Sequence, residues 1–220
     1  KLIKATWVES FVLKDKDKSR FTFFNNVITI LVCNLLLIIS AKIKVDLYLV
    51  PITLQPLAIL MISMLCGRNL AFASISFYLF QGMIGLPVFA MGGGLLYFFG
   101  PTGGFLIGFL IAGVIIGEFA DRGWGLTYLK SMLAMFIGLC VIYFMGMFQL
   151  SLFKSDFFDI TKDSFAYTEI LYLILSKCIS HLPEAYIIMK PYIIGDFYKL
   201  VLATLLLPQI WKLVQYNKKS

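Results

Sequence analysis

The composition of this 220-residue chain excludes a soluble globular domain. Hydrophobic residues make up 60% of the sequence and charged residues 14%, with a mean hydropathy of +0.89, whereas soluble domains carry about 25% charged residues. The net charge of +7 is also typical of nucleic-acid binding, but the basic residues flank apolar runs and form no soluble face. The sequence therefore predicts an integral membrane protein that contacts the lipid bilayer and has no nucleic-acid partner.

Six apolar runs are predicted to cross the membrane, because each is close to the roughly 20 residues that a spanning helix needs. A basic tail, 1–20, precedes one transmembrane domain, 21–214, and a short tail, 215–220, follows it. The predicted helices are 21–41, 47–66, 71–91, 104–119, 126–150 and 191–214. A further apolar run, 165–181, is short and ends near Pro183, so a shallow or re-entrant outer helix is favoured over a seventh span.

Lysine and arginine are distributed unevenly between the predicted loops. With six spans, both termini lie on the same side as the loops at Arg68 and Arg122, and these segments hold eleven of the 19 basic residues, whereas the opposite loops hold four. The positive-inside rule places both termini in the cytoplasm. The predicted fold class is therefore an all-α membrane protein, a six-helix bundle with cytoplasmic termini and an outward-facing binding cavity.

The stretch 82–108 is apolar and uncharged, yet it contains nine glycines. Each glycine weakens a helix by about 0.5–1 kcal/mol relative to alanine, but small residues let helices approach closely in a membrane. Gly104 and Gly108 lie one turn apart and predict a helix-packing face. Residues 91–103 cannot form regular helix, and irregular backbone at membrane depth is tolerated only where it is buried or lines a cavity. We therefore predict two packed helices joined by a loop that lines a binding cavity.

Two opposite charges interrupt the last apolar run. Asp196 and Lys199 are three residues apart and share one face of the predicted helix. Because a charge within a membrane segment costs at least about 2.5–3.5 kcal/mol, such residues usually face a partner or a cavity. Two interpretations stay open: an ion pair that only neutralises itself, or a ligand clamp whose carboxylate accepts N–H donors while its ammonium meets an anion.

Three further residues are candidate ligand contacts. Thr53 and Gln55 lie at the proline-flanked start of the second helix, where they offer hydrogen bonds at the outer mouth or satisfy backbone groups that the prolines free. Tyr97 follows the consecutive glycines and either stacks on a flat ligand or is an ordinary packed aromatic residue.

The signatures of an enzyme or a metal site are missing from the sequence. It has no nucleophile–base pair and no phosphate-binding loop in the required context, and it contains a single histidine. The four cysteines lack Cys-x-x-Cys spacing and are expected to be buried, unreactive thiols. The prediction is a protein that is not an enzyme and that carries neither a cofactor nor a metal.

Four motifs stand in order along most of the chain. They are Val50-Pro-Ile-Thr-Leu-Gln55, Gly82-x-x-Gly-Leu-Pro-Val-Phe89, Gly100-Pro-Thr-Gly-Gly-Phe-Leu-Ile-Gly-Phe109 and Pro191-Tyr-x-x-Gly-Asp-x-x-Lys199. Together they resemble the BioY family, the biotin-binding S components of energy-coupling factor (ECF) transporters. The resemblance implies a multi-pass protein of a bacterial cytoplasmic membrane that captures biotin outside. It also implies delivery inward with a transmembrane coupling protein and two ATP-hydrolysing subunits.

The resemblance implies roles for particular residues. Asp196 would accept hydrogen bonds from the ureido N–H groups of biotin, and Lys199 would pair with its carboxylate. The loop 42–50 would act as a lid, and Thr29-x-x-x-Cys33 is the nearest equivalent of the Ala-x-x-x-Ala motif with which such proteins dock to the coupling protein.

The glycine-rich loop, 92–98, would form the wall around the bicyclic ring of biotin. Some members of the family place an amide side chain in this loop, whereas this chain has Gly92 and Gly93 there, so backbone groups or Gln55 are expected to replace that contact. Two alternatives stay open: an S component for another vitamin, and a membrane scaffold whose glycines serve packing alone.

Overall fold

The protein is mostly helical, as the sequence predicts; a computed structural model describes residues 19–46, 50–154 and 167–216. The elements in chain order are α1 (Ser19–Lys42), β1 (Lys44–Val45), β2 (Ile52–Thr53), α2 (Gln55–Met83), α3 (Gly103–Asp121), α4 (Tyr128–Lys154) and α5 (Tyr167–Tyr216). Two short 3-10 turns, Leu95–Phe99 and Trp124–Leu126, precede α3 and α4. The two strands pair antiparallel.

Four helices in the described part of the chain are long and apolar enough to cross a membrane. They are α1 from Phe23 onward, α2, α3, and α4 as far as Leu152. Positions 1–18, 47–49, 155–166 and 217–220 lie outside the described residues. They include parts of the basic tail, the lid loop, the loop after α4, the predicted outer helix 165–181 and the C-terminal tail.

Helix α2 folds back on itself at Gly67. This residue has φ 76° and ψ 179°, and a positive φ is readily adopted only by glycine. Gln55 and Tyr78 are 23 residues apart, yet the Gln55 Nε2 atom donates to the Tyr78 hydroxyl at 2.8 Å. A straight helix would separate them by about 35 Å. The arms 55–66 and 68–83 are therefore antiparallel neighbours, and they correspond to the predicted second and third helices.

Both arms of α2 are shorter than the predicted helices. The first begins at Gln55 and not at residue 47, because β2 precedes it and Pro56 occupies the first turn of the helix, where the missing N–H loses no partner. The second ends at Met83 and not at residue 91. Gly85 follows it with φ 98°, and Pro87 cannot donate to a continuing helix.

Helix α5 is one continuous element where the sequence predicts two. It contains 50 residues, including Pro183 and Pro191, so the predicted break at Pro183 and the predicted start at Pro191 are wrong. A proline inside a helix removes one hydrogen bond and often bends the helix without ending it. The described residues contain five helices where six spans were predicted, because α2 contains the predicted second and third spans in one element. A straight helix as long as α5 would measure about 75 Å, well beyond the roughly 30 Å of bilayer hydrocarbon.

Helix α3 lies between α2 and α4 and contacts both. A Cβ atom added at Gly104 would lie 2.3 Å from the Met145 carbonyl oxygen, and one added at Gly108 would lie 3.0 Å from the Ile142 Cα atom. The two glycines therefore lie at the contact between α3 and α4, where their lack of a side chain lets the backbones approach.

Helix α1 lies at the edge of the bundle. Leu37 and Ala41 are fully buried, whereas Phe23, Leu31 and Leu35 are 70%, 52% and 57% exposed. Such an apolar outer face is suited to lipid rather than to water.

The cysteines differ in their surroundings. Cys33 of α1 and Cys66 of α2 are buried, with their Sγ atoms 3.6 Å apart. Cys140 of α4 is exposed, beside the exposed rings of Phe136 and Phe144, so the expectation that it is buried in the protein is wrong. Cys140 belongs to the apolar outer face of the bundle. The sequence around it is hydrophobic throughout, so it does not distinguish a lipid-facing position from an interior one.

We predict that the substitution Gly104→Ala lowers the melting temperature of the detergent-purified protein. The added methyl group would lie 2.3 Å from a backbone oxygen of α4, and such overpacking typically costs about 1–3 kcal/mol. The matched control is Gly195→Ala, because an added Cβ there meets no atom within 4 Å. Equal melting temperatures for the two variants, measured by differential scanning fluorimetry, would contradict the proposed close contact.

Candidate functional site

A cavity opens where the start of α2, the loop before α3, and helices α3, α4 and α5 meet. Its empty volume is about 590 Å³, which includes the space of the open mouth. The polar side chains on its wall are Thr53, Gln55, Tyr97, Thr102, Tyr143, Tyr192, Asp196 and Lys199. The apolar wall is formed by Val50, Pro51, Ile52, Pro56, Phe89, Ala90, Phe105, Leu106, Phe109, Ile142 and Met189.

The charged pair predicted from the sequence lies on this wall. Asp196 and Lys199 are one helical turn apart in α5, and their side chains are only 8% and 12% exposed. The Lys199 Nζ atom lies 2.5 Å from the Asp196 Oδ1 atom and donates to the Thr53 carbonyl oxygen at 2.6 Å. The two charges therefore face the inside of the bundle and neutralise each other there, instead of pointing into lipid.

Tyr143 of α4 completes the surroundings of the carboxylate. Its hydroxyl donates to the Asp196 Oδ2 atom at 2.7 Å, so both carboxylate oxygens accept a hydrogen bond, one from an ammonium and one from a phenol. Hydrogen bonds to a charged acceptor are stronger than neutral ones, which fixes the orientation of Asp196. Tyr143 was not among the residues predicted from the sequence, although a buried tyrosine near the middle of an apolar span needs a partner for its hydroxyl.

Thr53, the last residue of β2, and Gln55, the first residue of α2, lie beside the charged pair on the cavity wall. The Gln55 backbone N–H donates to the Thr53 Oγ1 atom at 3.3 Å, which ties the strand to the helix. The Gln55 side-chain amide donates to the Tyr78 hydroxyl, which in turn donates to the Val88 carbonyl oxygen at 3.2 Å. Both predicted contacts therefore reach the cavity, and Gln55 also connects the two arms of α2 to the loop that follows them.

The glycine-rich loop contributes rings to the cavity, and not its glycines. Phe89 and Tyr97 line the wall with their ring centroids 4.9 Å apart, whereas Gly92 and Gly93 are not among the lining residues. Gly92 has φ 140° and exchanges backbone hydrogen bonds with Phe89. A Cβ at Gly93 would lie 2.1 Å from the Leu86 carbonyl oxygen. The two glycines thus form a tight turn behind the wall, because only residues without a side chain fit there.

The predicted docking pair on α1 divides between two surroundings. Thr29 is half-buried and donates its hydroxyl to the Asn25 carbonyl oxygen at 2.8 Å. Cys33 is 5% exposed and contacts Cys66, so its side chain packs inside the bundle. A four-residue spacing places both residues on one side of a helix, but the sequence does not tell which side faces a neighbouring helix.

The residue types around the cavity indicate what it can bind. Asp196 supplies a hydrogen-bond acceptor and Lys199 a cationic donor, while the rings and aliphatic side chains of the remaining wall suit a flat apolar body. In the described part of the chain, no cluster of three or more histidine, cysteine, aspartate or glutamate side chains could hold a metal ion. The arrangement fits a small organic acid that has N–H donors at one end.

Known proteins resemble this chain in sequence and in fold. The model of the BioY family matches residues 14–216. A probable biotin transporter BioY of Lysinibacillus sphaericus is 42% identical over 48% of this chain and 54% of its own length. The biotin transporter BioY of Thermotoga maritima is 35% identical over 55% of this chain and 71% of its own length.

A solved structure shares the fold. It is the S-component for biotin from an ECF-type ABC transporter, and it aligns with a TM-score of 0.65 over 89% of this chain and 95% of its own, at 23% sequence identity. The family match includes every helix of the described part and all the residues of the candidate site. This chain therefore belongs to the BioY family.

Proposed function

We propose that this chain captures biotin on the outer side of a bacterial cytoplasmic membrane and delivers it inward as the S component of an ECF transporter. The observation that carries the proposal is the buried Asp196–Lys199 pair on the wall of a cavity, in a chain of the BioY family. The names of the relatives and of the solved structure support biotin as the ligand. Those proteins are transporters and not enzymes, so biotin is the transported substrate and no cofactor is assigned.

Each member of the charged pair suits one end of biotin. The ring urea offers two N–H donors, which Asp196 can accept, and the carboxylate at the other end can pair with Lys199. The two side chains are in contact in this structure, whereas the two ends of biotin are separated by its rings and an aliphatic chain. One biotin therefore engages both residues only if Lys199 moves away from Asp196, which its flexible side chain allows.

The remaining predicted contacts are assigned by their positions on the wall. Tyr97, with Phe89 beside it, packs on the bicyclic ring. Gln55 and the Thr53 hydroxyl replace the loop amide that other members use. Gly92 and Gly93 act indirectly, because they shape the turn that holds the aromatic wall.

We assign six spans, with the two arms of α2 counted separately and the last span in the C-terminal part of α5, and both termini in the cytoplasm. The Arg68 side chain, next to the Gly67 turn, lies 3.3 Å from Glu118 near the end of α3. Lys42, the C-terminal residue of α1, donates to the Phe89 carbonyl oxygen in the loop that lines the cavity. These contacts support the predicted orientation, in which the loops at Arg68 and Arg122 lie on the cytoplasmic side of the membrane and the lid, 42–50, lies on the outer side.

The coupling protein and the two ATPase subunits are further parts of the proposal. The candidate docking surface is the exposed face of α1. Thr29 is assigned to this surface, whereas Cys33 is not, because its side chain is buried in the bundle.

We predict that the detergent-purified protein retains radiolabelled biotin in equilibrium dialysis. Asp196→Asn and Lys199→Met should each weaken binding at least about tenfold, equivalent to about 1.4 kcal/mol, because the first removes the charged acceptor for the urea N–H groups and the second removes the cation that pairs with the biotin carboxylate. Lys190→Met is the matched control, since Lys190 lies on the same helix and is exposed.

Biotinamide, which lacks the carboxylate charge, separates the two roles. The unsubstituted chain should prefer biotin over biotinamide, Lys199→Met should abolish that preference, and Asp196→Asn should weaken both ligands. No retention of biotin by the unsubstituted chain would favour a scaffold. Displacement of the label by a different vitamin at lower concentrations than unlabelled biotin requires would favour another substrate.

We predict that Tyr143→Phe weakens biotin binding by about twofold to tenfold, the equivalent of one net hydrogen bond of about 0.5–1.5 kcal/mol. The change removes the hydroxyl that orients Asp196 and leaves the ring in place. Tyr128→Phe is the control, because Tyr128 lies on the same helix and is half exposed. Isothermal titration calorimetry of both variants makes the comparison, and equal affinities would remove Tyr143 from the site.

We predict that the tagged chain, purified in mild detergent from the membranes of its native cells, brings with it one further membrane protein and two ATP-hydrolysing subunits. Mass spectrometry of the purified material identifies them. Recovery of the chain alone under conditions that preserve a known ECF complex would contradict the proposed assembly. It would not contradict biotin binding, which the dialysis experiment tests separately.

A further inference from the structure

We propose that Lys42 is a positioning residue that holds the aromatic wall of the cavity in place and thereby slows the release of biotin. The aromatic wall is defined as Phe89 and Tyr97. This inference rests on the proposed function, because it concerns the same cavity. It assigns to the end of α1 a role in retaining the ligand, although Lys42 itself is not among the residues that line the cavity.

The contact joins two distant parts of the chain. Lys42 is the last residue of α1, and its Nζ atom donates to the Phe89 carbonyl oxygen at 2.8 Å across 47 residues of sequence. The lysine is otherwise exposed, so its charge stays hydrated while one N–H is directed at the loop. A cation at the C-terminal end of a helix is also stabilised by the helix dipole, which favours its presence at this position.

Phe89 is the residue on which the wall depends. Its ring is fully buried and lies 5.4 Å from the Tyr78 ring, 4.9 Å from the Tyr97 ring and 5.7 Å from the Phe98 ring, centroid to centroid. A Cβ atom at Gly82 would fall 1.9 Å from the same ring, so the ring fills the space above that glycine. Movement of Phe89 would therefore disturb the whole aromatic cluster next to the cavity.

The backbone conformation around Phe89 carries a large entropic cost, because glycines flank this residue on both sides. Gly85, Gly92 and Gly94 have φ values of 98°, 140° and 108°, and glycine loses more conformational freedom than any other residue when it is held in one conformation. The Phe89 carbonyl oxygen accepts a long hydrogen bond of 3.4 Å from the Gly92 N–H, against 2.8 Å from Lys42. The lysine is thus the shorter of the two contacts on this carbonyl, and it comes from outside the loop.

The chain contains a matched control two residues away. Lys44 lies in β1 of the same connection, but its Nζ atom donates to Asp46 at 2.8 Å, within its own loop. Lys42 and Lys44 therefore carry the same charge near the same edge of the cavity and differ in what they contact. A general effect of charge on biotin would appear in both variants, whereas the loss of the anchor would appear only when Lys42 is replaced.

The experiment measures two quantities in Lys42→Met, Lys42→Arg and Lys44→Met. The first is amide hydrogen exchange of residues 86–98 without biotin, where the Phe89 and Gly94 amides donate to Gly92 and Gly82. Lys42→Met should speed exchange there by about threefold to tenfold, the range expected for one net hydrogen bond, with α3 and α4 unchanged. The second is the rate of biotin dissociation, which should rise by a similar factor. Lys42→Arg should keep both quantities close to those of the unsubstituted chain, and Lys44→Met should leave the exchange of residues 86–98 unchanged.

Equal exchange of residues 86–98 in Lys42→Met and Lys44→Met, whether both change or neither does, would overturn the proposal. Faster exchange with an unchanged rate of biotin release would also overturn it, because the anchor would then not govern release. Should the unsubstituted chain bind no biotin, the proposed function fails, but the exchange measurement still decides whether Lys42 holds the loop. If Lys42→Met fails to fold, Lys42→Gln serves in the same comparison.

Discussion

The buried pair of Asp196 and Lys199 constrains the rest of this membrane bundle. Each charge alone would be strongly unfavourable at membrane depth, and even a pair needs further hydrogen bonds to offset its desolvation. The structure supplies them from two other elements: the Tyr143 hydroxyl from α4 and the Thr53 carbonyl from β2. The pair therefore holds three separated parts of the chain together around the cavity.

The close packing elsewhere makes that arrangement possible. The reversal at Gly67 turns α2 back on itself, and the resulting contact between Gln55 and Tyr78 places the start of the helix beside the glycine-rich loop. On the opposite side, Gly104 and Gly108 bring α3 against α4, the helix that carries Tyr143. The glycines thus act at a distance from the ligand, by letting backbones meet and by turning the loop that supports the aromatic wall.

The charged pair could be predicted from the sequence alone, because two opposite charges three residues apart are rare and costly within an apolar membrane segment. The sequence was not enough to predict the role of Gly92 and Gly93 or the part played by Tyr143, because these depend on which faces meet after folding. The effect of Pro183 and Pro191 was unpredictable for a similar reason, since a proline can interrupt a helix or be accommodated within it, depending on the neighbouring elements. The same holds for Cys140, where an apolar sequence fits either lipid or protein surroundings.

The central claim is that the ion pair exists in the empty protein and opens to receive the ligand. A crystal structure of the protein with biotin bound tests it most directly. The account predicts biotin in the cavity, with Lys199 moved from Asp196 to the biotin carboxylate and the Asp196 carboxylate accepting from the ring urea. A structure in which biotin binds elsewhere, or in which it occupies the cavity while Asp196 and Lys199 stay paired and touch neither of its ends, would contradict the account.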